Sequence, residues 1–335
     1  MIKFLKTFIL VIAMNLIISR NLYAVNILSW WGYFNSAIVS ELEQRCGAKI
    51  SYDEFYSIDE FLKRFHEQEY SIVIFPQSTY NLVAQKVANK GTDISDIRKK
   101  YAEGVSNSGF AKNLPKNVGI FAIEAAGFLY NSEKLTIGPE LPLEVIFQKL
   151  KNKKIIILDN PIEPMKLIAK LGEQVTFEEA VLRFKKIFTN VDVILSNDIA
   201  NFYKDENIVI LHAWIGNSYE IIKKNPKYKF IHHPKISYIG GDLIASLDKN
   251  PKTSCVMKIL ADKEMNTKII AHDFRMSPYG SLREFEKKID PLYLQVNNSF
   301  FDKTYDKLQW HGRPSSNEFQ KISEIWQKIK VEIQN

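Results

Sequence analysis

The chain has 335 residues and only two cysteines, Cys46 and Cys255. That excludes a disulfide framework and any CxxC metal spacing. A single bridge in an oxidising compartment and two separate buried thiols both fit the sequence, because Cys46 falls on the apolar face of an expected helix. There is no GxSxG elbow, no HExxH, no P-loop and no GxGxxG following a strand, so no catalytic residue is nominated. His232-His233 has no spaced third ligand and abuts Pro234, which reads as a surface turn with no metal role. No internal repeat and no low-complexity segment interrupts the chain.

Charge of one sign is also scarce. The formal excess is +7, and it falls to about +4 if Lys3, Lys6 and Arg20 leave with an N-terminal segment. An excess so small and dispersed excludes a nucleic-acid partner. Long apolar runs are missing beyond residues 1–24. There, Lys3 and Lys6 precede an apolar stretch from Phe8 to Ile18, and Leu22-Tyr23-Ala24 offers a cleavage site. The stretch is short for a membrane span and reads as an export signal cleaved near Ala24, which places the mature chain in the periplasm. Arg20 and Leu22 make that site imperfect, so a retained anchor is the alternative. No cysteine follows the signal, which argues against a lipoprotein.

What the chain does have is alternation. Residues 26–80 hold three short apolar runs and two helical patterns, the order of a βαβαβ unit. Strand Asn26–Ser29 leads to a helix over 36–46, with Asn35 as cap and Gly47 as stop. A strand over 48–52 precedes a capping box, Ser57 to Glu60, that opens the next helix. Strand 71–75 ends at Pro76. The alternation returns with strand 154–158, a helix running to Gly172, a second capping box at Thr176 and Glu179, and strands 191–195 and 207–212. A strand near Asp242, a helical stretch 253–272 and an amphipathic helix 316–333 close the chain. The expected fold is α/β with two lobes, and such proteins bind ligands between the lobes and trap them by hinge closure.

In open α/β sheets ligands sit beyond the carboxyl ends of the strands. Trp30, Trp31 and Tyr33 follow the first strand, and Gln77, Ser78, Thr79 and Tyr80 follow the third. Asp159 and Glu163 follow strand 154–158, Trp214, Asn217 and Tyr219 follow strand 207–212, and Gly240, Gly241 and Asp242 lie in the later strand. Aromatic faces with carboxylates suit an organic cation, since rings attract an ammonium and cover its methylenes. Each cation–π contact is worth roughly 0.5–2 kcal/mol, so several must cooperate.

These segments, in their order and spacing, resemble the periplasmic polyamine-binding proteins, the spermidine/putrescine receptors of ABC importers. The similarity rests on Trp30-Trp31-Gly32-Tyr33, on Pro76-Gln77-Ser78-Thr79-Tyr80, and on the strand ending in Asp159 with its helix to Lys170-Leu171-Gly172. It continues through 196–216, Gln309-Trp310 and the final helix with Trp326. It implies a type II two-lobe periplasmic-binding fold, with lobe 1 over 25–130 plus 241–287 and lobe 2 over 131–240 plus 288–335. It implies a non-enzymatic monomer without cofactor, which binds a polyamine and docks on an inner-membrane permease. Trp30 and Tyr33 become first-lobe contacts, Trp214 a stacking wall, and Asp159 and Asp242 the ammonium partners. Ser78 and Tyr80 fill the hydroxyl positions if Gln77 is an insertion; otherwise Gln77 and Thr79 do.

Several positions depart from the family. Gly240 stands where a second aromatic is common, Ile162 where a carboxylate is expected unless a shift brings in Glu163, and His311 where a Gln is usual. Glu124, in the apolar run 121–129, is a candidate for the missing charge. The rival readings are a receptor for an anion or ferric ion, a sensor-docking protein, and an exported enzyme on the same fold.

Overall fold

A three-stranded parallel unit occurs twice along the chain and sets the architecture. The computed structural model describes residues 24–169 and 175–334; residues 1–23 of the expected signal and Lys170-Leu171-Gly172 lie outside them. In the first unit β1 (Ala24–Trp30) runs parallel between β2 (Lys49–Phe55) and β3 (Ile72–Pro76). β4 (Val118–Asn131) follows. In the second unit β5 (Lys154–Ile157) runs parallel between β6 (Asp192–Leu195) and β7 (Ile208–Trp214). β8 (Tyr228–Ile231) and β9 (Tyr238–Ser246) are both antiparallel to β4.

β4 belongs to both sheets. Its residues 118–125 pair with β9, which pairs in turn with β3, while residues 126–131 pair with β7 and β8. The sheets therefore read β2-β1-β3-β9-β4 and β6-β5-β7-β4-β8, the same order twice. Strand carboxyl ends from both units consequently face a common seam.

Each sheet is covered on both faces, as parallel strands require. In the first, Leu28, Val73, Phe75 and Leu243 pack against Phe61 and Phe65, while Val25, Ile27, Ile72 and Ile74 pack against Ile38, Leu42 and Met257. Strand alternation sends successive side chains to opposite cores. Helix α1 (Ser36–Cys46) is capped by Asn35 and stopped by left-handed Gly47, and α2 (Ile58–Glu67) is capped by Ser57. The box partner Glu60 reaches the Tyr56 amide instead of that of Ser57.

In the second lobe α3 (Met165–Ile168) is a single turn where a longer helix was expected. Pro161 and Pro164 lie before it in the sequence, and a proline has no N–H to carry a helix through. α4 (Phe177–Ile187) opens with the full capping box of Thr176 and Glu179. α5 (Ile215–Lys224) starts directly from β7. The expected helix 253–272 is two helices, α6 (Pro251–Ala261) and α7 (Lys263–Ile270), because Asp262 leaves the helix to cap the second.

The lobe boundaries differ from the expected ones. α8 (Pro291–Lys303) buries Tyr293, Leu294, Val296 and Phe300 in the first-lobe core, so residues 291–303 belong to lobe 1. Only α9 (Ser316–Gln334) docks on lobe 2, through Ile325, Trp326 and Ile329. The chain thus crosses between lobes within β4, just before β9, and again between β10 (Gln309–Trp310) and α9. Cys46 and Cys255 form a disulfide that ties α1 to α6. Among the described residues no helix is long and apolar enough to cross a membrane.

Candidate functional site

Period-2 geometry places Tyr238, Gly240 and Asp242 on one face of β9. Directly across in β4, Ala122 opposes Asp242 and Glu124 opposes Gly240; two residues on, Ala126 opposes Trp214 of β7. Trp214, Glu124, Tyr238 and Asp242 therefore share a face at the seam of the two sheets. A side chain at Gly240 would touch the Trp214 ring at 3.6 Å, so the missing side chain leaves a gap that Trp214 lines.

One end of this cleft centres on Asp242. Its Oδ1 accepts from Trp30 Nε1 at 2.9 Å, and its Oδ2 accepts from Arg275 Nη1 at 2.5 Å and from the Tyr33 hydroxyl. Arg275 lies 4.3 Å above the Tyr33 ring, and its Nε stands 3.2 Å from Glu124 Oε1 and 4.0 Å from Asp273 Oδ2. Three carboxyls thus surround one guanidinium. Burial raises Glu124 to about 8 against the opposing pull of Arg275, so at neutral pH it is largely protonated. Burial also lifts Asp242, though Arg275 and the Tyr33 and Trp30 hydrogen bonds hold it down. Burial opposes the charge on Arg275, but Tyr33, Asp242 and Glu124 more than restore it.

Arg275 reaches this position through a turn. After α7 and a short 3-10 turn, Phe274 adopts a left-handed φ of 52°. Met276 then pairs with Ile123 in both directions, at 2.8 and 2.9 Å, which lays the neighbouring Arg275 beside Glu124.

The other end centres on Tyr238. Lys166 Nζ sits 3.2 Å from its ring centroid, and the His311 ring meets it edge-on at 5.0 Å. Glu163, one turn before Lys166, is buried; burial raises its pKa and lowers that of Lys166, each countered by the charge of the other. Burial, and after it the nearby Glu163 carboxyl, raise the Tyr238 hydroxyl above its ordinary value, yet that hydroxyl makes no hydrogen bond of good geometry. Gln77 donates through Nε2 to the His311 carbonyl. His311 is lowered to about 3 by burial and then by the Lys166 charge. Five buried polar atoms in this cleft have no hydrogen-bond partner among the described residues: Gln77 Oε1, Glu124 Oε2, Lys166 Nζ, Tyr238 Oη and His311 Nε2. Buried polar atoms are normally paired, so a concentration of orphans marks a place for a ligand.

Of the residues nominated from sequence, Trp30, Tyr33, Gln77, Glu124, Glu163, Trp214, Asp242 and His311 meet here. Asp159 does not show a free carboxylate: Trp326 Nε1 and Lys330 Nζ hold it at 3.0 and 3.1 Å against α9. Thr79 turns its hydroxyl back to the Pro76 carbonyl, Tyr80 is buried under Arg313, and Ser78 is half-buried. Trp31 is 60% exposed and stacks on Tyr56. Sequence reasoning missed Arg275, Lys166 and Tyr238. Tyr238 was recoverable by counting back in twos from Asp242. Glu163 and Lys166, a charged pair three apart among Ile162, Met165 and Leu167, was a further signal. Nothing local marked Arg275.

No family model matches the chain, and no curated protein matches it in sequence. Solved structures do. A spermidine/putrescine ABC transporter substrate-binding protein, PotD from Streptococcus pneumoniae, superposes with a TM-score of 0.73 at 15% identity, over 92% of this chain and 99% of its own. The Atu4243-GABA receptor gives 0.68 at 12%, over 92% and 98%. Iron-bound HitA from Pseudomonas aeruginosa gives 0.62 at 10%, over 93% and 99%. Their cargoes differ, so the likeness carries architecture and not ligand: this chain has the two-lobed α/β fold of periplasmic solute-binding proteins, over nearly its whole length.

Proposed function

We propose that the chain is a solute-binding receptor whose lobes close on a small linear amine, a polyamine or related organic cation, for delivery to an inner-membrane ABC permease. The observation that carries this reading is the acid excess at Arg275. Asp242 and Asp273 already outnumber the one fixed cation there, and Glu124, protonated at neutral pH, can ionise to meet a second, while the adjoining gap at Gly240 is lined by the Trp214 ring. An ammonium entering that gap meets a ring face and a carboxyl whose Oε2 has no partner. The names of structural neighbours, spermidine/putrescine receptors among them, agree with this reading. A disulfide between Cys46 and Cys255 fits an exported chain.

The test is a thermal-shift screen of residues 25–335 after unfolding and oxidative refolding, which strips carried-over ligand. Putrescine, spermidine, amino acids, sugars, phosphate and ferric citrate form the panel. A ligand at about 100 times its Kd stabilises the native state by roughly 2.7 kcal/mol. A shift with amines that Trp214→Ala abolishes supports the reading; a shift only with sugars, phosphate or iron overturns it.

A further inference from the structure

The two ends of the cleft are built for different chemistry. At the Tyr238 end the chain supplies an amine of its own, Lys166, whose charge burial disfavours and the nearby Glu163 carboxyl favours, and it uses none of its N–H donors: Nζ is buried, stands on the Tyr238 ring and has no hydrogen-bond acceptor. The Tyr238 hydroxyl is a second donor without an aligned acceptor. Beside them stand two acceptors without donors. His311 Nδ1 faces the Gly312 carbonyl and must carry the proton there, which leaves Nε2 as a bare lone pair. Gln77 commits its amide nitrogen to the His311 carbonyl, which leaves Oε1 free.

Two unpaired donors beside two unpaired acceptors do not match a simple ammonium, which only donates, or a carboxylate, which only accepts. They match a group that does both at adjacent atoms. The head of an α-amino acid is such a group: its carboxylate accepts from Lys166 and Tyr238, and its ammonium donates to Gln77 and His311. The fifth unpaired atom, Oε2, belongs to Glu124, the residue paired with Gly240, two strand residues from Tyr238. That is about 7 Å along the strand, the reach of a side chain of three or four methylenes with a terminal ammonium.

We propose that the cargo is a basic α-amino acid with a linear side chain, held head-first at Lys166, Tyr238, His311 and Gln77, with its distal ammonium at Glu124 and its methylenes along Trp214. This rests on the amine-receptor reading and narrows it, since such an amino acid is a diamine with a carboxylate added. The Lys166 cation, which repels a bare diamine from this end, becomes the partner of that carboxylate.

The chemistry supplies its own control. L-ornithine and L-lysine differ from putrescine and cadaverine by the one carboxylate. Calorimetric titration of the refolded, ligand-free chain with these four and with spermidine is expected to show each amino acid binding at least about tenfold tighter than its diamine. Tyr238→Phe removes a hydroxyl that makes no aligned internal bond, so it should fold normally; it and Lys166→Met are expected to erase that preference, Tyr238→Phe by weakening amino-acid binding alone and Lys166→Met by weakening amino-acid binding while tightening diamine binding, since the repelling charge is gone. Tighter binding of the diamines, or a preference that survives both variants, overturns the inference and leaves the amine receptor standing. Silence with all five compounds overturns both.

Discussion

Arg275 Nη1 and Asp242 Oδ2 form a buried ion pair at 2.5 Å in the floor of the cleft. The carboxylate that resemblance assigns to the ligand is thus already occupied by the protein. Trp30 and Tyr33 bind the same carboxylate, so the first-lobe aromatics form part of a fixed network. Removing one partner of such a pair strands the other in a poor solvent for charge. Arg275→Met is expected to cost about 3–5 kcal/mol, measured by urea unfolding. Adding Asp242→Asn should recover part of that loss, because the stranded charge is gone. Strictly additive losses would show that the pair is not coupled.

Glu124 makes the cleft a proton acceptor. Its folded pKa is about 8 against 4.5 for the free side chain. A carboxyl raised in this way contributes stability fully below the unfolded value, and that contribution is lost as pH rises through about 8. Glu124→Gln should therefore gain stability relative to the parent between about pH 5 and 8, followed by thermal melts across that range. Ligand binding reads the same group. An ammonium at Glu124 favours the carboxylate, so binding at pH 7 should release close to one proton, seen as a buffer-dependent heat in calorimetry. A buffer-independent heat would place the ammonium elsewhere.

The strands and helices of the two parallel units could be anticipated because they depend on local pattern: apolar runs of strand length, capping residues at Asn35, Ser57 and Thr176, and helix stops such as Gly47. The lobe assignment of residues 291–303 could not, because an amphipathic helix does not state which core its face will meet. Within the cleft, residues at strand ends were accessible, since position alone aims them at the seam. Arg275 was not, because it arrives from a turn that is placed by pairing Met276 with Ile123, a contact between residues remote from one another along the chain. Lys166 was overlooked for a related reason: a lysine beside a glutamate on a short helix reads as a solvated pair until the fold seats it on the Tyr238 ring.

Asp159 separates resemblance from geometry. Its carboxylate accepts from Trp326 Nε1 at 3.0 Å and from Lys330 Nζ at 3.1 Å, and both partners lie on α9. It acts as a clip for the last helix. Asp159→Asn should lower stability by about 1 kcal/mol, the usual scale of such a contact, and leave amine affinity within about twofold. Loss of amine affinity without loss of stability would return Asp159 to the binding site.

Gly240 and Gly241 are adjacent, yet they are glycine for different reasons, and substitution distinguishes them. A Cβ at Gly241 would lie 2.1 Å from the Ala122 carbonyl oxygen, on backbone that β4 holds in register. Neither strand can retreat without breaking pairs, so Gly241→Ala should cost about 2–3 kcal/mol. A Cβ at Gly240 would meet nothing nearer than the Trp214 ring at 3.6 Å, an ordinary contact, so Gly240→Ala should melt like the parent. The added methyl narrows the cleft instead: Gly240→Ala should weaken ligand binding several-fold, and Gly240→Phe should abolish it while the fold persists by circular dichroism. Full-affinity binding by Gly240→Phe would mean that the gap beside Trp214 is not where the ligand lies, whatever the orphaned polar atoms around it suggest.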